Sequence, residues 1–148
     1  MKTIGKKPAK KVSASSREGY RFLEHTADIM VSAWGPDYLS ALKQAALAMF
    51  SVLGKAEGTQ SFEVEEQAAT REELVVYLLS RILGECEARE MVAARMEVLE
   101  FDAKLSRIRV RIFGSPTRPR DAIKAVTYHR LEVKEGKKKC TIQVVFDV

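Results

Sequence analysis

Two acidic positions in this chain each stand beside an apolar stretch, and together they could do chemistry. The sequence closes on Val144-Val145-Phe146-Asp147-Val148, so the Asp147 side chain and the α-carboxyl of Val148 lie side by side after a hydrophobic run. Neither is comfortable there unless water or a cation meets it. Asp28, in Glu24-His25-Thr26-Ala27-Asp28-Ile29, adjoins a second apolar stretch, Ile29-Met30-Val31. If the fold brings these two places together, Asp28, Asp147 and Val148 form a site whose donors are all oxygen. Hard cations such as Ca²⁺, Mg²⁺ or Mn²⁺ suit such donors. On residue type alone a turn acid at Asp28 and a solvated strand end at Asp147 are the commoner explanations, because a chain of this size carries many surface acids.

Other polar groups fall near these acids or in a cluster of their own. His25 stands three residues before Asp28. It could be a ligand or a general acid or base, but a hydrogen bond that fixes the bend is the simplest role. Thr26 is expected to bond its local backbone rather than act as a nucleophile. In Lys124-Ala125-Val126-Thr127-Tyr128-His129, Lys124, Thr127 and His129 could reach a phosphate or a partner's acid. An ordinary amphipathic strand is the alternative. The chain has no G-x-S-x-G elbow, no Walker A sequence and no G-x-G-x-x-G. Cys86 and Cys140 stand far apart, and with two histidines in the whole chain they make a poor zinc set.

The elements that must position these residues follow from composition and pattern. At 148 residues, with 46% hydrophobic and 30% charged positions, the chain fits one globular domain. No apolar run is long enough to cross a bilayer, and the N-terminus lacks the apolar centre of a secretory signal, so a cytoplasmic protein without a membrane partner is expected. The net charge of +5 is unevenly spread. Residues 1–17 hold Lys2, Lys6, Lys7, Lys10, Lys11 and Arg17 and no acid, which leaves the remainder close to neutral. Residues 1–18 are therefore expected to be a basic, disordered tail, and residues 19–148 a single domain.

Within that domain, Tyr20–Leu23 and Ile29–Trp34 read as strands, with Ile29, Val31 and Ala33 on one face of the second. Gly35-Pro36-Asp37 breaks the strand and opens a helix over about residues 38–52, with Asp37 at its cap and Gly54 as its stop. Ser61–Glu66 alternates like a strand. Thr70 and Glu73 form a capping-box pair for a second helix reaching about Cys86, its stripe made by Leu74, Val75, Leu78, Leu79, Ile82 and Leu83. Met91–Phe101 and Arg107–Phe113 read as long strands, the latter with arginines on one face and Ile108, Val110 and Ile112 on the other. Gly114–Arg120 is a loop, and Ile123–Tyr128 reads equally as strand or helical turn. Leu131–Lys134 and Thr141–Phe146 are strands around a hairpin loop at Glu135–Lys139. The fold class is α+β: two helices packed on one face of a largely antiparallel six- to seven-stranded sheet.

Three of these stretches taken together, Phe22–Ile29, Ile123–His129 and Val144–Val148, resemble the archease family. Ala33-Trp34-Gly35 and Ala45-Ala46-Leu47-Ala48-Met49-Phe50 agree with it as well. The resemblance covers residues 19–148 and leaves the basic tail outside. It departs from the family at Ser115, where a Glu often follows the glycine, and at Arg81-Ile82-Leu83-Gly84, where an acidic segment is usual. What it implies is a non-catalytic protein cofactor of an RtcB-type RNA ligase in tRNA splicing, which promotes GTP-dependent guanylylation of the ligase and its multiple turnover. It implies a divalent metal ion, calcium first with magnesium or manganese as alternatives, at an acidic tip formed by Asp28, Asp147 and Val148. It also implies that Lys124 meets the ligase or a phosphate, that tRNA is reached through the ligase, and that a tRNA modification enzyme is a further partner. A stand-alone metal-dependent phosphoester hydrolase using Asp28, His25 and Asp147, or an RNA chaperone working through the basic tail, are the alternatives.

Overall fold

The computed structural model describes residues 17–23, 27–120 and 122–148. The order of elements is β1 (Gly19–Leu23), β2 (Ile29–Gly35), α1 (Tyr38–Leu53), β3 (Gln60–Gln67), α2 (Arg71–Arg89), β4 (Val92–Asp102), β5 (Arg107–Ser115), β6 (Ala125–Glu135) and β7 (Cys140–Asp147). The expected α+β class, with two helices and seven antiparallel strands, is what is found. The strands are shared between two sheets: one of four in the order β1-β2-β7-β6, and one of three in the order β3-β5-β4. The chain clusters correspondingly into two compact units, one running up to Ala48 and resuming at Lys124–Val148, the other spanning Met49–Ile123.

In the first unit the sequence sets β2 and α1 close together. Asp37 caps α1 by accepting bonds from the Ser40 backbone N–H at 2.8 Å and the Ser40 hydroxyl at 2.6 Å. These bonds, the hydroxyl first, hold the Asp37 carboxyl below its ordinary range. A Cβ at Gly35 would lie 2.4 Å from the Ser40 Cβ, so only glycine allows the strand to turn into the helix so tightly. α1 is apolar nearly all round, and accordingly Ala41, Leu42, Ala45, Ala46 and Ala48 are fully buried. β2 pairs with the last strand, β7, from Ile29–Phe146 to Gly35–Cys140.

In the second unit Thr70 caps α2, its hydroxyl accepting the Glu73 N–H at 3.0 Å. The buried stripe of α2 is the one its periodicity predicts, and the helix runs on to Arg89, where Glu90 ends it in a left-handed conformation. Ile108, Val110 and Ile112 of β5 are completely buried, while the arginines between them form ion pairs across the strands. Gly114 lets β5 pass against β4, because a Cβ there would lie 2.3 Å from the Val92 carbonyl oxygen. Ser115, the position that departs from the family pattern, bonds with both the backbone N–H and the carbonyl of Glu57.

Of the ambiguous stretch Ile123–Tyr128, the part from Ala125 onward belongs to β6, a single strand from Ala125 to Glu135, and Ile123 and Lys124 precede it. Its pairing with β7 runs in register at Ala125–Asp147, Val126–Phe146 and Thr127–Val145, then resumes at Glu132–Gln143. Five steps along β6 thus oppose two along β7, and the surplus is taken up in a bulge. Arg130 lies in that bulge at φ 55°, and its carbonyl accepts the Gln143 side-chain amide at 2.8 Å.

Candidate metal site at the ends of three strands

The β2–β7 register decides where the two acids lie. Ile29 pairs with Phe146, so Asp28 and Asp147 stand one step further along the same two strands, at the same end of the sheet. The third strand arrives at this end too. Ala125 pairs with Asp147, and the Lys124 backbone N–H donates to the Asp147 carbonyl at 2.7 Å. Asp28, Asp147, Val148 and Lys124 therefore collect at one tip, contributed by strands from opposite ends of the sequence.

Behind the tip the sheet is dry. Phe146 is fully buried, and the next rung in joins Met30 to Val145, both also buried. Asp147 and Lys124 are exposed and Asp28 is half-buried. Val148 is 42% exposed. The change from sealed core to open carboxylates takes place within one residue. Charged groups at such a boundary keep part of their hydration and can share a cation with it.

Thr127 sits on the Val145 rung and donates its hydroxyl to the Val145 carbonyl at 2.9 Å. That bond clamps β6 to β7 just behind the tip and leaves only the oxygen's acceptor lone pairs for any other contact. His129 is exposed and lies in the bulge beyond, beside Tyr128, which is 54% exposed. His25 lies outside the described residues, as do Glu24 and Thr26.

The donor chemistry of the tip fits a hard cation better than a soft one. Both buried thiols lie within strand or helix: burial pushes Cys86 up to about 11, so it stays a thiol at neutral pH. Among the described residues no group of three or more His, Cys, Asp or Glu side chains could hold a metal. The oxygen set here is two carboxylates plus main-chain oxygen. That suits an ion that accepts water in its remaining positions, as Ca²⁺ does with its six to eight flexible ligands.

With this geometry in place, comparison with known proteins is decisive about kinship. Residues 20–148 match the archease protein family. The chain belongs to the archease family. It is 33% identical over 144 residues to the protein archease of Methanosarcina acetivorans, which covers 90% of this chain and 99% of that one. It is 28% identical over 123 residues to an archease-like protein of Drosophila melanogaster, covering 77% of this chain and 79% of the relative. Among solved structures, the solution structure of Methanobacterium thermoautotrophicum protein 1598 superposes with a TM-score of 0.74 at 26% identity, over 88% of this chain and 99% of that one. The crystal structure of a Thermotoga maritima archease, described as a possible chaperone, has the same fold, with a TM-score of 0.65 at 23% identity over 85% and 94% of the two chains. No helix among the described residues is long and apolar enough to cross a membrane.

Proposed function

We propose that this chain is a protein activator of an RtcB-type RNA ligase in tRNA splicing, promoting GTP-dependent guanylylation of the ligase and its return to further turnovers. Membership of the archease family supports the class of function, and one observation supports the site: Asp28 and Asp147 end adjacent strands at the same tip of the four-stranded sheet. The description of the Thermotoga relative as a possible chaperone agrees with a protein that works on another protein.

The residues act as a presenting surface. The carboxylates of Asp28 and Asp147, with main-chain oxygen at Val148, would hold a divalent cation, calcium first and magnesium or manganese as alternatives. Such an ion would supply positive charge and oxygen coordination beside the ligase's nucleotide. The bond from Lys124 to the Asp147 carbonyl and the Thr127 clamp keep β6 and β7 from splaying, so the tip enters a partner's cleft preformed. Lys124, exposed beside the acids, offers an ammonium to a phosphate or to an acid of the ligase. His129 is proposed as a further contact to the partner, as is His25, three residues before Asp28 in the sequence. The chain itself performs no bond-breaking step in this reading. It meets tRNA through the ligase, works in the cytoplasm, and has a tRNA modification enzyme as a further partner.

The test is reconstitution. Ligase, GTP and a nicked RNA are incubated with and without this chain, and guanylylated ligase and joined RNA are measured. Activation is expected with the native chain and not with Asp147→Ala. Turnover of a phosphoester by the chain alone would point instead to a hydrolase, and RNA binding that vanishes when the lysines of residues 1–17 are neutralised would point to a tail-based RNA chaperone.

A further inference from the structure

The opposite end of the same sheet carries the opposite charge. β7 runs from Cys140 to Asp147, so its two ends are roughly 23 Å apart at the usual rise per strand residue. At the far end the β6–β7 turn holds Lys137, Lys138 and Lys139 in succession, all exposed. The turn is closed by the Gly136 N–H donating to the Lys139 carbonyl at 2.7 Å, which fixes the backbone and leaves the three side chains to water. Among the described residues none of the three ammonium groups forms an ion pair.

Strand register extends this positive end onto the sheet. Trp34 of β2 pairs with Thr141 of β7, which pairs with Lys134 of β6, so the three share one rung and one face. Two rungs in, on the same face, stands Ser32, paired with Arg21 of β1, which is exposed. Lys134 pairs with Glu132, an exposed contact of 3.5 Å that contributes little. Glu135 is the other acid of the hairpin. Arg21, Lys134 and the three turn lysines thus surround the rung that carries the chain's single tryptophan, which is half-buried.

We propose that this end of the sheet, centred on Lys137, Lys138 and Lys139, binds the phosphodiester backbone of single-stranded RNA. Consecutive lysines on a turn are flexible point charges that follow a chain of phosphates without demanding fixed geometry. The surface goes beyond the metal-bearing tip. As a place for the ligase's own substrate it rests on the activator reading, while as an RNA-binding surface it is measured on this chain alone.

The test uses the full chain and a twelve-nucleotide oligouridylate, titrated at 50 to 200 mM salt and followed by Trp34 fluorescence and by anisotropy of labelled RNA. Each phosphate contact on single strands adds about 0.7 to the slope of log affinity against log salt. The triple variant Lys137→Gln, Lys138→Gln, Lys139→Gln should lower that slope by about 2 and weaken binding at 50 mM salt by about tenfold or more. A second variant, with Lys6, Lys7, Lys10 and Lys11 changed to Gln, separates the tail and should keep the larger share of affinity and the fluorescence response. Three results overturn the proposal: no salt-dependent binding by the native chain, native affinity and slope in the turn variant, or binding lost only in the tail variant. Equal competition by polyaspartate also overturns it, in favour of an acidic protein. The Asp147→Ala ligase assay is independent of all four, so failure here leaves the activator reading standing.

Discussion

The two sheets treat charge in opposite ways. In the three-stranded sheet the charges are matched within the fold. Arg109 lies 2.9 Å from Glu63 and 3.0 Å from Glu100, and Arg111 lies 2.6 Å from the other oxygen of Glu63. Arg95 of β4 rests on a ring, over Phe113 at 3.8 Å, and Arg89 at the end of α2 both bonds Glu85 and covers Phe62 at 4.5 Å. In the four-stranded sheet two acids and Lys124 stand at one end and a run of three exposed lysines at the other. Charges that meet a partner on the next strand are spent on register, since like charges placed opposite would oppose the pairing. Charges gathered at strand ends hold no register and are open to a ligand.

The comparison can be broken first where backbones approach most closely. Gly114 and Gly35, one in each unit, have no room for a methyl group against backbone or a short side chain. Gly114→Ala in the second unit must move β4 away from β5, and Gly35→Ala in the first must move α1. Each should destabilise the chain by about 2–3 kcal/mol, read as a lowered denaturation midpoint. If the two units are independent in stability, Gly35→Ala should lower the protection of β2 and β7 amides from hydrogen exchange and leave β5 protected. Uniform loss across both sheets would show one cooperative unit.

Thr70→Ala removes the acceptor for the Glu73 N–H and should cost about 1 kcal/mol. The loss should be recovered in part by Thr70→Asp, whose carboxylate caps the same donor and suits the helix dipole. A variant no less stable than the native chain would mean that water replaces the cap without penalty.

The smallest effect is expected at Glu63. Its carboxyl is held below the ordinary value of 4.5, by Arg111 first and then Arg109. A carboxylate with a lowered folded value contributes stability that is fully present above about pH 4.5 and is lost as pH falls through that folded value. Glu63→Gln should therefore flatten the acid limb of the stability curve slightly and leave it unchanged at pH 7 in 1 M salt, where exposed ion pairs are screened. An unaltered acid limb would mean that the pairing contributes nothing to stability in solution.

How much of this was legible in the sequence depends on the range of the interaction responsible. The caps at Asp37 and Thr70, the stop at Gly54 and the stripe of α2 are local, and they stand where the residues indicate. β6 was harder to read because the bulge around Arg130 interrupts the alternation that marks a strand. The division of seven strands into two sheets depends on which strands pair, and β2 pairs with a strand more than a hundred residues away. Asp28 and Asp147 could be singled out from their apolar neighbours, but their common tip follows only from that long-range register. The lysine run of Lys137–Lys139 reads from sequence as a hairpin loop and nothing more. Its place opposite the acids, beside Trp34 and Lys134, emerges from the fold.

The account's central claim is that the acids ending β2 and β7 are what the chain presents to its partner. The direct measurement is formation of guanylylated ligase from GTP, over many turnovers, with native chain or Asp147→Ala added. Both proteins are first shown to melt alike, since Asp147 is exposed and its removal opens no cavity. The account predicts that the variant leaves the ligase at the level seen with no activator. A folded Asp147→Ala protein that stimulates the ligase as the native chain does would contradict it.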